Sequence, residues 1–357
     1  MQCGGPGDDG QVTALPRRFL QGADAQHLAV EGEEPVLVQI PPVAHDPPSA
    51  LAIAPVGFTI GALGESGQSD RQASDSGNGA QMTERPYGIV LADTITSLPP
   101  EAAGAVVVSG SHGGLFPAAC ALQAGVRAVI LNDAGTGLEA AGLACLDHCH
   151  SHGVAAAVID SMSCRIGDAA DALQRGVISH VNPLALTVGV RPGMSVEDAA
   201  EALLLAPVSD MPVAEMGERR EVIELPGALR RIVLLDSASQ VRPEDDGRIV
   251  VTASHGALVG GNPDHAIRCE AFAALFNDAG GGPHGWGFSR LGALDARSIV
   301  GATVGSSSAR IGDGRSTYET GVLSAVNDVA RFLGLRVGMS ARDACEILAL
   351  TDVRVPD

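Results

Sequence analysis

The chain contains no lysine: all 23 of its basic residues are arginine. Schiff-base chemistry, pyridoxal-phosphate anchoring, the phosphate-loop lysine and Ser–Lys dyads each need an amine that a guanidinium cannot supply, so those classes are excluded. Aromatic residues are scarce, with seven Phe, two Tyr and one Trp in 357 residues, which disfavours an aromatic-lined binding module. Positive charge is scarce as well: 42 acidic residues leave a formal net charge of −19. A surface that acidic repels phosphate backbones and anionic lipids, so nucleic acid and membrane are poor partners. No stretch approaches the ~18 consecutive apolar residues of a membrane span. The opening MQCGGPGDDG lacks the basic start and apolar block of a signal peptide. The seven cysteines are odd in number and scattered, which is not a disulfide framework. These absences lead to the expectation of a cytoplasmic protein.

Glycine (45 residues) and apolar residues (45%) are abundant. At roughly 150 residues per domain the length suggests about two domains. Internal similarity then sets the organisation. Ile89–Asp93 (IVLAD) recurs as Ile232–Asp236 (IVLLD) and Ser111-His112-Gly113 as Ser254-His255-Gly256, both 143 residues on. After two extra residues near 259–263 the spacing becomes 145: Asn132-Asp133-Ala134-Gly135 recurs as Asn277-Asp278-Ala279-Gly280. Arg165-Ile166-Gly167-Asp168 likewise recurs as Arg310-Ile311-Gly312-Asp313, and Asn182 as Asn327. This pattern reads as a tandem duplication.

Each unit alternates short apolar runs of strand length (105–109, 128–131, 154–159, and 248–252 in the second unit) with helical stretches (115–124, 138–152, and about 168–181). The expected fold class is α/β: a duplicated parallel-sheet βαβ unit giving two pseudo-symmetric halves, behind a partly disordered N-terminal leader. The expected boundaries are a leader at 1–85, with short strands between 34 and 60 and a Gly/Ser-rich linker at 61–85. A first repeat at 86–205, a connector at 206–231 and a second repeat at 232–357 follow.

Three polar motifs each follow a strand and precede a helix, where the loops of a parallel sheet build a binding crevice. One unit would assemble Ser111, His112, Asn132, Asp133, Ser163 and Arg165, the other Ser254, His255, Asn277, Asp278, Ser308 and Arg310. His112 or His255 is the candidate acid or base, oriented by Asp133 or Asp278. Arg165 or Arg310 offers a forked donor to a carboxylate, and the Asn and Ser side chains bind amide or carbonyl groups. The same residue types also serve as helix caps and turn formers, the role expected of Asp168 and Asp313.

Other patterns are weaker. Cys145, His148, Cys149 and His152 fall at i, i+4 spacings that could ligate a metal, but the second unit has Arg290, Ala293, Leu294 and Arg297 there. His112-Gly113 followed by Cys164-Arg165 superficially resembles a caspase-like cysteine peptidase. Met162-Ser163 replaces the Gln-Ala of that pattern, and the second unit has Ala309 at the nucleophile position. His112-Gly113-Gly114 resembles the oxyanion loop of α/β-hydrolases, whose nucleophile elbow is missing. No dinucleotide fingerprint is present, so no cofactor is expected.

The resulting expectation is a cofactor-independent enzyme for a small polar carboxylate or cyclic amide, with hydrolysis favoured. One alternative is a racemase or epimerase in which the units face one another and each supplies one histidine. The other is a non-enzymatic small-anion binder. A homo-oligomer is compatible with all three.

Overall fold

The computed structural model describes residues 88–352. The expected leader strands and the linker at 61–85 lie outside the described residues. In the first sheet β1 (Ile89–Ala92), β2 (Val106–His112), β3 (Ala128–Asn132) and β4 (Ala155–Ile159) run parallel in that order. β5 (Ile178–Val181) closes the edge antiparallel to β4. The helices are α1 (Leu115–Gln123), α2 (Ala144–Ser151), α3 (Ala169–Arg175), α4 (Pro183–Thr187) and α5 (Val196–Leu203). In the second sheet β6 (Arg220–Ile223) pairs antiparallel with β7 (Ile232–Leu235). β7, β8 (Ile249–His255), β9 (Ala273–Asn277) and β10 (Val300–Val304) are parallel, and β11 (Leu323–Val326) is an antiparallel edge. Its helices are α6 (Arg290–Asp295), α7 (Gly314–Glu319), α8 (Asp328–Phe332) and α9 (Ala341–Leu350).

The central strands are continuous apolar runs because both of their faces are covered. Alternation along β2 to β4 sends Val106, Val108, Ile130 and Ile159 against α3 and α5. It sends Val107, Val129, Leu131 and Val158 against α1 and α2. The second sheet divides likewise, with Val251 and Leu275 on the α9 side and Val250 and Phe276 on the α6 side. Each fully buried Ile, Leu or Val contributes about 1.5–3 kcal/mol relative to exposure.

Two expectations about elements are corrected. The helix expected over 168–181 stops at Arg175, while the sheets are largely parallel as expected, with antiparallel edge strands. Gly176 caps that helix: a Cβ there would lie 2.3 Å from the Ala172 carbonyl oxygen. The β-branched Val177-Ile178 pair then starts the returning edge strand β5, with Ile178 buried. The helix expected over 138–152 is also two pieces. Residues 138–143 form a tight turn with Glu139 and Ala140 at φ 54° and 55°, and only Ala144–Ser151 is α-helical. No helix among the described residues is long and apolar enough to cross a membrane.

The two sheets meet through loops at the carboxyl ends of their strands. Gly135 and Gly280 pack face to face, so closely that a Cβ on Gly135 would sit 2.7 Å from the Gly280 Cα. Around them Ala134, Ile166, Ala257, Ala279 and Ile311 form a shared apolar cluster. The Trp286 indole donates to the Ile166 carbonyl at 3.0 Å, and the Leu138 amide donates to the Ser306 carbonyl at 2.8 Å.

Candidate active site between the two sheets

β2 and β8 each end in Ser-His. In both, the register against the neighbouring strand shifts before the histidine, which then lies opposite Asn132 in the first sheet and Asn277 in the second. The shift turns the imidazole out of the sheet toward the seam. There each histidine meets the other sheet: Cε1 of His112 lies against Gly312, and Cε1 of His255 lies against Gly167. A Cβ at those glycines would come within 3.3 and 3.1 Å of the rings.

The result is one cavity of about 190 Å³ lined by His112, His255, Ser111, Ser254, Glu218 and Arg290, with Arg268 and Asp236 also on its wall. For scale, a cavity of roughly 150 Å³ accommodates a benzene ring. His112 and His255 are only 8% and 6% exposed. The Nδ1 of His112 accepts from the Gly114 amide at 3.1 Å, which places its ring proton on Nε2. The Nδ1 of His255 has no hydrogen-bond partner among the described residues; the Ala257 backbone lies close by but out of hydrogen-bond geometry. Neither Nε2 is bonded to any described residue.

Burial pushes the His112 imidazole down to about 4. Burial, then the positive charges of Arg290 and of a protonated His112, push His255 down to about 3. Both rings are therefore neutral at pH 7, and each opposes protonation of the other. Burial pushes the Glu218 carboxyl up; its Oε2 accepts from the Ser239 hydroxyl at 3.2 Å and its buried Oε1 has no partner among the described residues.

The remaining expected site residues lie elsewhere. Asn132 accepts from the Ala134 amide at 2.9 Å, and Asn277 accepts from the Ala279 amide at 2.9 Å. Asp133 accepts from the Gly135 and Ser161 amides and from the Ser179 hydroxyl. Asp278 accepts from the Gly280 and Ser306 amides. Neither aspartate bonds a histidine; both tie turns at the seam. Ser163 and Ser308 link their loops to the edge strands through the Val177 and Val322 amides. Arg165 stacks 4.9 Å over the Trp286 ring, and Arg310 pairs with Asp313 and Glu139. None of these eight side chains lines the cavity. Ser111 and Ser254 do, and their Oγ atoms accept from the Ile95 and Ala238 amides.

Cys145 and Cys149 face the apolar core beneath α1 and α2, and burial raises both thiols. His148 and His152 pack on each other, ring centres 4.8 Å apart. Among the described residues no group of three or more His, Cys, Asp or Glu is placed to hold a metal ion. Cys164 is buried with its thiol pushed up to about 12, the reverse of an activated nucleophile.

Sequence reading does not single out Arg290, Arg268 or Glu218. Arg290 stands where the first unit has Cys145, and a charged residue at a core position of one unit only was the available signal. Compared with known protein families, curated proteins and solved structures, the chain matches none.

Proposed function

We propose that the protein is a cofactor-independent enzyme that moves a proton on a small polar substrate, with His112 and His255 as its acid–base pair. The carrying observation is that one imidazole from each sheet lines the same cavity, with neither Nε2 atom bonded to a described residue. A racemase or epimerase needs this arrangement: one ring removes a proton from carbon while the other, protonated, returns one to the opposite face. Mutual repulsion allows at most one ring to be charged, and an anionic substrate supplies the counter-charge that lets that ring protonate.

Hydrolysis is the second reading, supported by the Ser111 and Ser254 hydroxyls on the same wall. Neither hydroxyl bonds a histidine, so an attacking water would have to be the nucleophile. The proposal also takes the two sheets as products of one duplicated unit. Support comes from paired details: Asn182 and Asn327 cap α4 and α8 while each bonds the amide of an adjacent strand.

The test is deuterium uptake from D2O at the stereocentre of a panel of chiral carboxylates and cyclic amides, followed by proton NMR. Exchange with loss of optical purity is expected, reduced at least ~100-fold in His112→Asn and in His255→Asn. Bond cleavage without exchange, or exchange indifferent to both substitutions, would sink the isomerase reading.

A further inference from the structure

Arg290 opens α6 and is 4% exposed. Its Nε donates to the Ala257 carbonyl at 3.0 Å, and its Nη1 to the carbonyls of His265, at 2.6 Å, and Ala266. The Phe276 ring lies 4.8 Å beneath the guanidinium. Three carbonyls and a ring thus fix the fork in one orientation, while Nη2 bonds no described residue. No carboxylate of the described residues pairs with it, although nearly every buried charge in a folded protein is paired.

The uncompensated charge stands in the cavity wall, next to His255 with its unpartnered Nδ1. Arg268 at the rim is exposed, and it too has no hydrogen bond or ion pair with a described residue. The other orphan in the wall has the opposite character. Glu218 Oε1 is buried and has no donor among the described residues, whereas the neighbouring Asp236 is already engaged by the amides of Gly314 and Arg219. The cavity is therefore cationic on one wall and carries an unmet acceptor on another.

We propose that Arg290 anchors the carboxylate of the substrate and that the Glu218 carboxyl group accepts an N–H of the same molecule. The ligand class is then a small carboxylate bearing an N–H, such as an amino acid or a cyclic amide acid. This rests on the proton-transfer reading of the cavity and adds to it the group that orients the substrate carbon between the histidines. It also moves the anion contact from Arg165 and Arg310, which are held at the seam, to a residue on the cavity wall.

The experiment is calorimetric titration of the full chain with 5-oxoproline, cyclopentanecarboxylate, 2-pyrrolidinone and inorganic phosphate. 5-Oxoproline is expected to bind best. Cyclopentanecarboxylate, lacking the N–H, should bind roughly 10-fold more weakly, and 2-pyrrolidinone, lacking the carboxylate, not at all. Arg290→Gln should weaken 5-oxoproline by about 30-fold or more, and Glu218→Ala should abolish its advantage over cyclopentanecarboxylate.

Because Arg290 also holds three carbonyls, Arg290→Gln can lose its fold. Arg268→Gln at the exposed rim is then decisive, with an expected loss of roughly 3-fold. A rise in the wild-type His255 pKa on 5-oxoproline binding, read by nitrogen NMR, is expected as well. Carboxylates that do not bind at millimolar concentration overturn the proposal, as does phosphate binding in preference to them. Binding indifferent to both arginine variants overturns it too. If carboxylates bind through Arg290 yet no substrate exchanges deuterium, the ligand class stands and the isomerase reading fails. Exchange of an uncharged substrate by Arg290→Gln at the wild-type rate has the reverse meaning.

Discussion

The two sheets share their turns and differ in what surrounds them. Asp133 and Asp278 receive equivalent pairs of amides, and Asn132 and Asn277 hold the same left-handed alanines, Ala134 at φ 49° and Ala279 at φ 50°. At three positions the second sheet carries charge where the first is small and uncharged. Buried Ala102 corresponds to buried Asp245, Ala170 to Arg315, and the core thiol Cys145 to the cavity guanidinium Arg290. The common polar residues mostly build the turns and the seam; the Ser-His pairs ending β2 and β8 are common residues that reach the cavity. The unshared residues set its charge. Two nearly matching halves can thus enclose a site that is symmetric in its acid–base groups and asymmetric in electrostatics.

The largest effect should come from the contact in which the halves are most alike. Gly135→Ala and Gly280→Ala each put a methyl where the other glycine's Cα lies within 2.8 Å, at φ of 71° and 80°. Each should cost above roughly 4 kcal/mol in urea unfolding, and the two losses should be similar. A strong effect from only one of them would break the equivalence at the seam.

The next effect belongs to the second sheet alone. Arg220 forks onto buried Asp245 at 2.5 and 3.1 Å, with Arg248 at 3.6 Å. Burial by itself would raise that carboxyl, but these guanidinium groups and the Arg242 amide hold it below its usual value. Asp245→Asn should destabilise by about 3 kcal/mol, whereas Ala102→Ser, at the corresponding buried position, should cost about 1 kcal/mol.

A graded effect, smaller per pH unit, concerns acid. The folded histidines, at about 4 and about 3, bind fewer protons below pH 6.5 than the unfolded chain does. Their contribution is complete above pH 6.5 and declines as pH falls, on the order of 1.4 kcal/mol per pH unit for each ring, until the folded values are reached. Below about pH 4 the depressed carboxyl of Asp245 adds a further loss of the same sign. Urea midpoints between pH 7 and 4.5 should show half the wild-type slope in His112→Asn and half in His255→Asn. The smallest effect is on the surface, where Arg315 pairs with Glu221 and Glu319 on the second sheet only. Arg315→Ala should leave the unfolding midpoint unchanged.

Much of the skeleton was legible because local chemistry decides it. Short apolar runs ending in a polar turn became β2, β3, β4 and β8, and Ser195 and Asp168 cap α5 and α3 as their positions suggest. The antiparallel strands β5 and β11 were not legible, since a Gly followed by β-branched residues competes with helix continuation only through edge pairing. The site was half legible. Ser-His at a strand end pointed to the cavity, but Asn132, Asp133, Ser163 and Arg165 follow strands in the same way and serve their own loops. Arg290 and Glu218 reach the wall beside His255 through loop packing within the second sheet's own half, and they meet His112 only through the docking of one sheet on the other, which no local pattern encodes.

In the proposed mechanism His112 and His255 act as one acid–base unit across the seam. The most direct test is the deuterium-exchange rate of His112→Asn, His255→Asn and the double variant on the best substrate. Residues that act as a unit are non-additive, so the double variant should be no slower than the slower single variant. Single losses that multiply in the double variant, or one histidine that can be replaced without loss, would contradict the pair.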